Sequence, residues 1–157
     1  MTINTTFTAG SVLTAAQMNN LPWGVISSTY NTTATINNTS TAVQSFFTGP
    51  AFTPVVGRKY RVSWSIGAVY KFTNLGNITI ELRKDSTTGT IIDASYFSGV
   101  PLNTILPHSK STLLTSTEMG TASFIPTVCV TANTAGMAVA NIGGFPGSII
   151  FEDIGAA

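Results

Sequence analysis

The stretch KYRVSWSIGAVY, Lys59 to Tyr70, constrains the fold more than any other. Tyr60, Val62, Trp64, Ile66, Ala68 and Tyr70 fall on one side of an extended chain, and Arg61, Ser63, Ser65 and Gly67 on the other. Period-two alternation rich in aromatic and β-branched residues builds a half-buried strand; wound into a helix it would scatter its apolar face. NITIELR repeats the rule, with Ile78, Ile80 and Leu82 against Asn77, Thr79, Glu81 and Arg83. Lys84 to Thr90 is a turn by composition, and IIDASYF resumes as a strand. Further strands are expected at Val25 to Tyr30, Ala42 to Phe47, Ser111 to Thr115, Ala122 to Thr131, Met137 to Asn141 and Ser148 to Glu152. Pro126 inside the Ala122 to Thr131 run implies an edge strand, a bulge or two separate strands. Gly143 to Gly147 reads as a tight connection. The sum is an all-β chain: an antiparallel β-sandwich or jelly roll of about eight strands.

The first 24 residues break this pattern. Thr14, Ala15, Ala16 and Gln17 have capping-box spacing, Ala15 to Met18 are good helix formers, and Pro22 prevents continuation. A helix this short does not stand alone in water. Phe7, Val12, Leu13, Met18, Leu21 and Trp23 therefore need a surface, either their own sandwich or a neighbouring subunit. The division expected is an anchoring arm over 1–24 and a sandwich body over 25–157.

Charged residues make up 8% of the 157, the formal net charge is +1, and 26 residues are threonine. The surface is wetted by hydroxyls and amides rather than by charge. The seven Lys and Arg, scattered apart from Arg58-Lys59-Arg61 and Arg83-Lys84, offer no basic field for nucleic acid. No run of 18 apolar residues suggests a membrane helix, and the opening Met-Thr-Ile-Asn-Thr is unlike a secretory signal. One cysteine, Cys129, precludes an intrachain disulfide and a cysteine zinc site.

Catalytic chemistry finds little to work with. The single histidine, His108 in ILPHSK, has no triad spacing to Ser109 and Lys110 and is read as a loop residue. Glu81 is expected to face water or pair with Arg83. Asp85 lies in a turn, and Glu118 is the acid nearest His108 in sequence. Glu152 and Asp153 suit a turn or ion pair better than a glycosidase pair. Cys129 alternates with Val128 and Val130 as a buried thiol, and Trp64 shares the core face. No phosphate-binding loop, metal set or cofactor motif is present, and the chain is expected not to be an enzyme.

Three stretches are similar to a family of tailed-bacteriophage virion surface proteins of the minor tail or capsid-decorating kind. Phe7, Gly10, Val12-Leu13-Thr14-Ala15 and Met18-Asn19 resemble its F-x-x-G-x-V-L-T-A-x-x-M/L-N opening. Gly57-Arg58-Lys59-Tyr60-Arg61-Val62 resembles its Gly-Arg-x-Tyr-Arg-Val entry to a long strand. Glu152-Asp153-Ile154-Gly155 resembles its ending. The resemblance implies a non-enzymatic structural subunit with a jelly-roll body, homotrimeric, made in the cytoplasm of a bacterial host and carried on the virion surface. Its partners would be further copies of itself and the major capsid or tail proteins. A carbohydrate- or host-receptor-binding module is the alternative, with a host-surface glycan as ligand.

Overall fold

The computed structural model describes residues 15, 18, 20–32, 35–38, 40–140 and 146–157. Ten strands follow in order: β1 (Gly24–Asn31), β2 (Thr35–Asn38), β3 (Gln44–Thr48), β4 (Arg58–Lys71), β5 (Gly76–Lys84), β6 (Ile91–Val100), β7 (Leu106–Thr115), β8 (Pro126–Ala132), β9 (Met137–Ala140) and β10 (Gly147–Ala156). One four-residue helix, α1 (Ser116–Met119), lies between β7 and β8.

All pairings between these strands are antiparallel. One sheet runs β1-β10-β4-β7, with β9 and β2 carried along the far end of β4; the other runs β3-β8-β5-β6. Apart from the β5-β6 hairpin, the connections between the long strands cross from one sheet to the other. Eight long strands in two such four-strand sets make the double-sheet jelly roll. The sandwich fold expected from the alternating pattern is the fold observed.

The register explains why the alternation is so regular. Straight across the first sheet run inward rows Thr29-Ile149-Trp64-Lys110, Ser27-Phe151-Val62-Thr112 and Gly24-Asp153-Tyr60-Leu114. Outward rows lie between them: Tyr30-Ser148-Ser65-Ser109, Ser28-Ile150-Ser63-Ser111 and Val25-Glu152-Arg61-Leu113. Ile78, Ile80 and Leu82 of β5 and Val128 and Val130 of β8 face the inward rows and are fully buried. Phe52 stacks on Phe151 at 4.3 Å and meets Tyr60 and Phe124 edge-on, closing one end of the core. Burial of such apolar area, at roughly 25 cal/mol per Å², is the main stabilising term.

The structure corrects several local expectations. Tyr70 does not continue the core face of β4. A bulge between Ile66 and Val69 shifts the phase, so Val69 and Lys71 turn inward and Tyr70 is half-exposed. Lys71 Nζ donates to the carbonyl (2.5 Å) and hydroxyl (2.8 Å) of Thr134, and burial lowers its pKa. Pro126 interrupts no strand. It opens β8, a central strand, where a missing N–H costs little, while Phe124 pairs separately with Phe52. His108 is not in a loop: β7 starts at Leu106, five residues before the expected strand. The expected connection at Gly143 to Gly147 falls mostly outside the described residues.

Candidate attachment site

At one end of the sandwich the strand that begins with Arg58 lies beside the strand that ends at Ala156. Asp153 follows Ile149 and Phe151 on the inward face of β10, so its carboxylate enters the core end and is 1% exposed. A carboxylate there requires a cation. Arg58, 4% exposed, supplies it: Nε donates to Asp153 Oδ2 at 2.7 Å, and Nη2 donates to Oδ1. The fork-on-carboxylate geometry uses both oxygens. Asp153 Oδ1 also accepts from the Gly155 N–H at 2.9 Å.

The same guanidinium holds the segment leading into β1. Arg58 Nη2 donates to the Leu21 carbonyl at 2.7 Å, and the Trp23 ring lies 4.4 Å from Arg58 Cζ. That stacking adds about 0.5–2 kcal/mol by cation–π attraction. Upstream, Ala15 and Met18 are helical, and the Leu21 N–H donates to the Met18 carbonyl at 3.1 Å. Gly155, at φ 118°, sits where a Cβ would come within 3.2 Å of the Asn20 carbonyl. The chain therefore approaches β1 by passing beside β10 towards β4.

Two of the three stretches that carry the sequence resemblance meet here, with residues 20–23, just past the third, beside them. In the Gly57 to Val62 stretch, Gly57 turns at φ 77°, accepts from Ala157 N–H at 2.7 Å and donates to Ser116 Oγ at 3.1 Å. Arg58 makes the clamp. The Tyr60 hydroxyl accepts from the Val55 N–H at 2.8 Å, and Arg61 pairs with Glu152 at 3.3 Å. Of the proposed anchor residues, Phe7, Val12 and Leu13 lie outside the described residues. Met18, Leu21 and Trp23 are exposed at 54%, 43% and 53%. The structure brings Leu21 and Trp23 to one cation, and Val55 and Val56, also exposed, lie on the loop just before it. No local pattern in the sequence pairs Arg58 with Asp153, 95 residues away. The available signal was a carboxylate two residues beyond Ile149 and Phe151 on the core side of an alternating strand.

The remaining candidates for chemistry are tied down elsewhere. His108 lies between Trp64 (4.8 Å) and Phe97 (5.5 Å), both edge-on, and its buried Nε2 has no hydrogen-bond partner. Asp93 accepts from Trp64 Nε1 (3.1 Å), Lys110 Nζ (2.5 Å) and Thr112 Oγ1 (2.8 Å). Those hydrogen bonds outweigh its desolvation and lower its pKa. Glu81 does not face water: it is buried and paired with Arg83 at 2.7 Å. Burial pushes the Cys129 thiol up to about 11, out of nucleophilic range. Glu118 caps α1, taking bonds from the Thr115 backbone (2.6 Å) and hydroxyl (2.8 Å) that lower its pKa. The Thr115-Ser116-Thr117-Glu118 capping box is the sequence signal for this helix. Among the described residues no group of three or more His, Cys, Asp or Glu is placed to hold a metal ion. No helix of the described residues is long and apolar enough to cross a membrane.

His108 sets a pH dependence. Burial, followed by the Lys110 charge, lowers its pKa, and Asp93 only partly opposes them. The unfolded imidazole takes its proton near pH 6.5, above the folded value. Stability is therefore full above that pH and is lost as pH falls through the folded pKa. The depressed Asp93 acts only lower, in the carboxylate range. Urea midpoints should fall between pH 7 and 5 in the native chain, and His108→Phe should flatten that limb. An unchanged slope in the variant would assign the acid sensitivity to another group.

No family model matches the chain, and no curated protein matches it. Among solved structures it is similar to a protein from Bacillus endospore appendages, described as a novel family of disulfide-linked pili. The identity is 12%, over 96% of this chain and all of that one, with a TM-score of 0.35. It is also similar to a chain of the infectious bursal disease virus Gt strain, at 9% identity and a TM-score of 0.46. A chain of the T=1 particles derived from infectious bursal virus matches at 12% and 0.40. The chain covers 83% of itself in both viral matches and spans 38% and 36% of those proteins. At TM-scores below 0.5 these likenesses carry no argument about role.

Proposed function

We propose that this chain is a non-enzymatic structural subunit on the surface of a tailed-bacteriophage particle, a capsid decoration or minor tail protein attached through its N-terminal arm. The observation that carries the reading is the Arg58–Asp153 clamp. The central and closing stretches, each resembling its counterpart in that family, meet in one buried ion pair, and its arginine holds Leu21 and Trp23 at the arm's exit. A buried pair of this kind specifies geometry more than it adds stability. Here it holds the exposed Leu21 and Trp23 at the sandwich end, with exposed Met18 one turn upstream and Val55 and Val56 on the loop before Arg58, as a set of apolar side chains open to solvent. Interface cores have that character, with aromatic anchors at their centre. The jelly-roll body by itself is compatible with many roles, so the weight rests on this site. Closed homo-oligomers, a trimer by the family resemblance, suit such a particle component.

The test is add-back of the purified chain to phage particles lacking it, with a glycan array in parallel. Saturable particle binding and a silent array are expected. Glycan binding through exposed Tyr30 or Tyr96, without particle binding, would replace this reading with a receptor-binding module.

A further inference from the structure

We infer that β6 and β7, the edge strands that close one side of the sandwich, part reversibly in mild acid, with protonation of His108 as the trigger. β6 pairs with β5 in one sheet and β7 with β4 in the other, and no main-chain ladder joins them among the described residues. Side chains make the seam. Lys110 Nζ donates to Asp93 Oδ1 and, at 2.7 Å, to the Ala94 carbonyl; Thr112 Oγ1 and Trp64 Nε1 donate to Asp93 Oδ2. This is also the less sealed side of the core. Ile92, Phe97, Leu106 and Leu114, the apolar groups only partly buried against the core cluster, all lie on these two strands. No residue of β7 is fully buried, and on β6 only Val100 is. Few buried apolar contacts mark the parts of a fold that open locally before the whole unfolds. The connection between the two strands stays tied to β4, where the Asn103 N–H donates to the Lys71 carbonyl at 2.7 Å, so parted edges can close again.

His108 is placed where a proton finds no partner. It pairs with Ile66 across β4 and β7, two residues from Lys110, and its ring packs edge-on against Trp64 of one sheet and Phe97 of the other. Its Nε2 is buried with no hydrogen-bond partner. A neutral imidazole tolerates one unpaired nitrogen; an imidazolium has a donor on each and needs an acceptor for both. The carboxylate that faces it, Asp93 of β6, already accepts from Trp64, Lys110, Thr112 and the Ala94 N–H. Lys110, on its own strand, is a like charge. β4 presents Trp64 and Ile66, and β5, behind Phe97, presents Ile78, none of them charged. Burial, then the Lys110 charge, hold the His108 pKa below its ordinary value against the opposing pull of Asp93. Parting the edges gives the ring water, and there it takes a proton near pH 6.5. Protons therefore bind the open form better than the closed one, and that difference shifts the balance. Asp93, desolvated but held by its hydrogen bonds below its ordinary pKa, stays ionised through this window.

Acrylamide quenching of Trp64 in a full-length Trp23→Phe chain reads the seam, because the chain has two tryptophans and Trp64 is 1% exposed. From pH 7 to pH 5 the quenching constant should rise, return to its starting value when pH 7 is restored, and leave far-UV circular dichroism unchanged. The opening equilibrium should gain no more than about tenfold per pH unit, the limit for one proton. His108→Phe and His108→Gln, which fill the site without a titrating group, are made separately in the same background, so that one folded variant suffices. Either should keep quenching flat over this range. Quenching that does not change between pH 7 and 5 with His108 present, a rise that persists in a folded His108 variant, or a rise that comes with loss of circular dichroism would each overturn the inference. None of these readings depends on attachment to a particle.

Discussion

Asp153→Ala should be the most damaging single substitution at the sandwich end, costing about 3–5 kcal/mol of folding stability. The expected loss comes from what remains rather than from what is removed. Arg58 stays 4% exposed, with its guanidinium facing the space the carboxylate filled. The Gly155 N–H loses its acceptor at the same time. Urea denaturation read by circular dichroism measures the cost. The double variant Arg58→Met, Asp153→Leu should recover much of it, because an apolar pair of similar size leaves no buried charge. That double variant should still fail at attachment, since the Leu21 carbonyl and Trp23 ring lose the group that holds them. Arg58→Lys should not substitute: an ammonium lacks the planar fork that engages both carboxylate oxygens, the Leu21 carbonyl and the indole face together. A loss below about 1 kcal/mol for Asp153→Ala would mean that water reaches the pair and that the clamp is a surface contact.

The fold was legible where local pattern and tertiary environment agree. Tyr60 to Ala68 alternates because every second residue enters one core, and the register across four strands preserves that phase. It ceased to be legible where phase changes. The bulge after Ile66 depends on how β7 pairs, so nothing within VYK announces that Lys71 turns inward. His108 follows a proline in a polar stretch, which resembles a loop; pairing with Ile66 of β4 makes it a strand. The clamp joins residues 95 positions apart, so the sequence shows only an inward acid and an arginine opening a strand. Recognising that one requires the other needed the register between β10 and β4.

The second large effect concerns the arm. Removing residues 1–18 keeps Leu21, Trp23 and every described strand, so the body should fold with its clamp intact. The removed part carries Phe7, Val12, Leu13 and Met18, the apolar groups proposed to meet the particle. Leu13→Asp with Met18→Asp is the gentler form. Two unpaired charges carried into an apolar contact cost several kcal/mol, which at about 1.4 kcal/mol per tenfold lowers affinity on the order of a hundredfold or more.

The most direct measurement is occupancy of depleted phage particles titrated with native, 19–157 and Leu13→Asp, Met18→Asp chains, each first shown to be folded by circular dichroism. The account predicts saturation by the native chain, no binding by 19–157, and a titration displaced about a hundredfold or more for the double variant. Normal occupancy by a folded 19–157 chain would contradict it and place the attachment surface on the jelly-roll body.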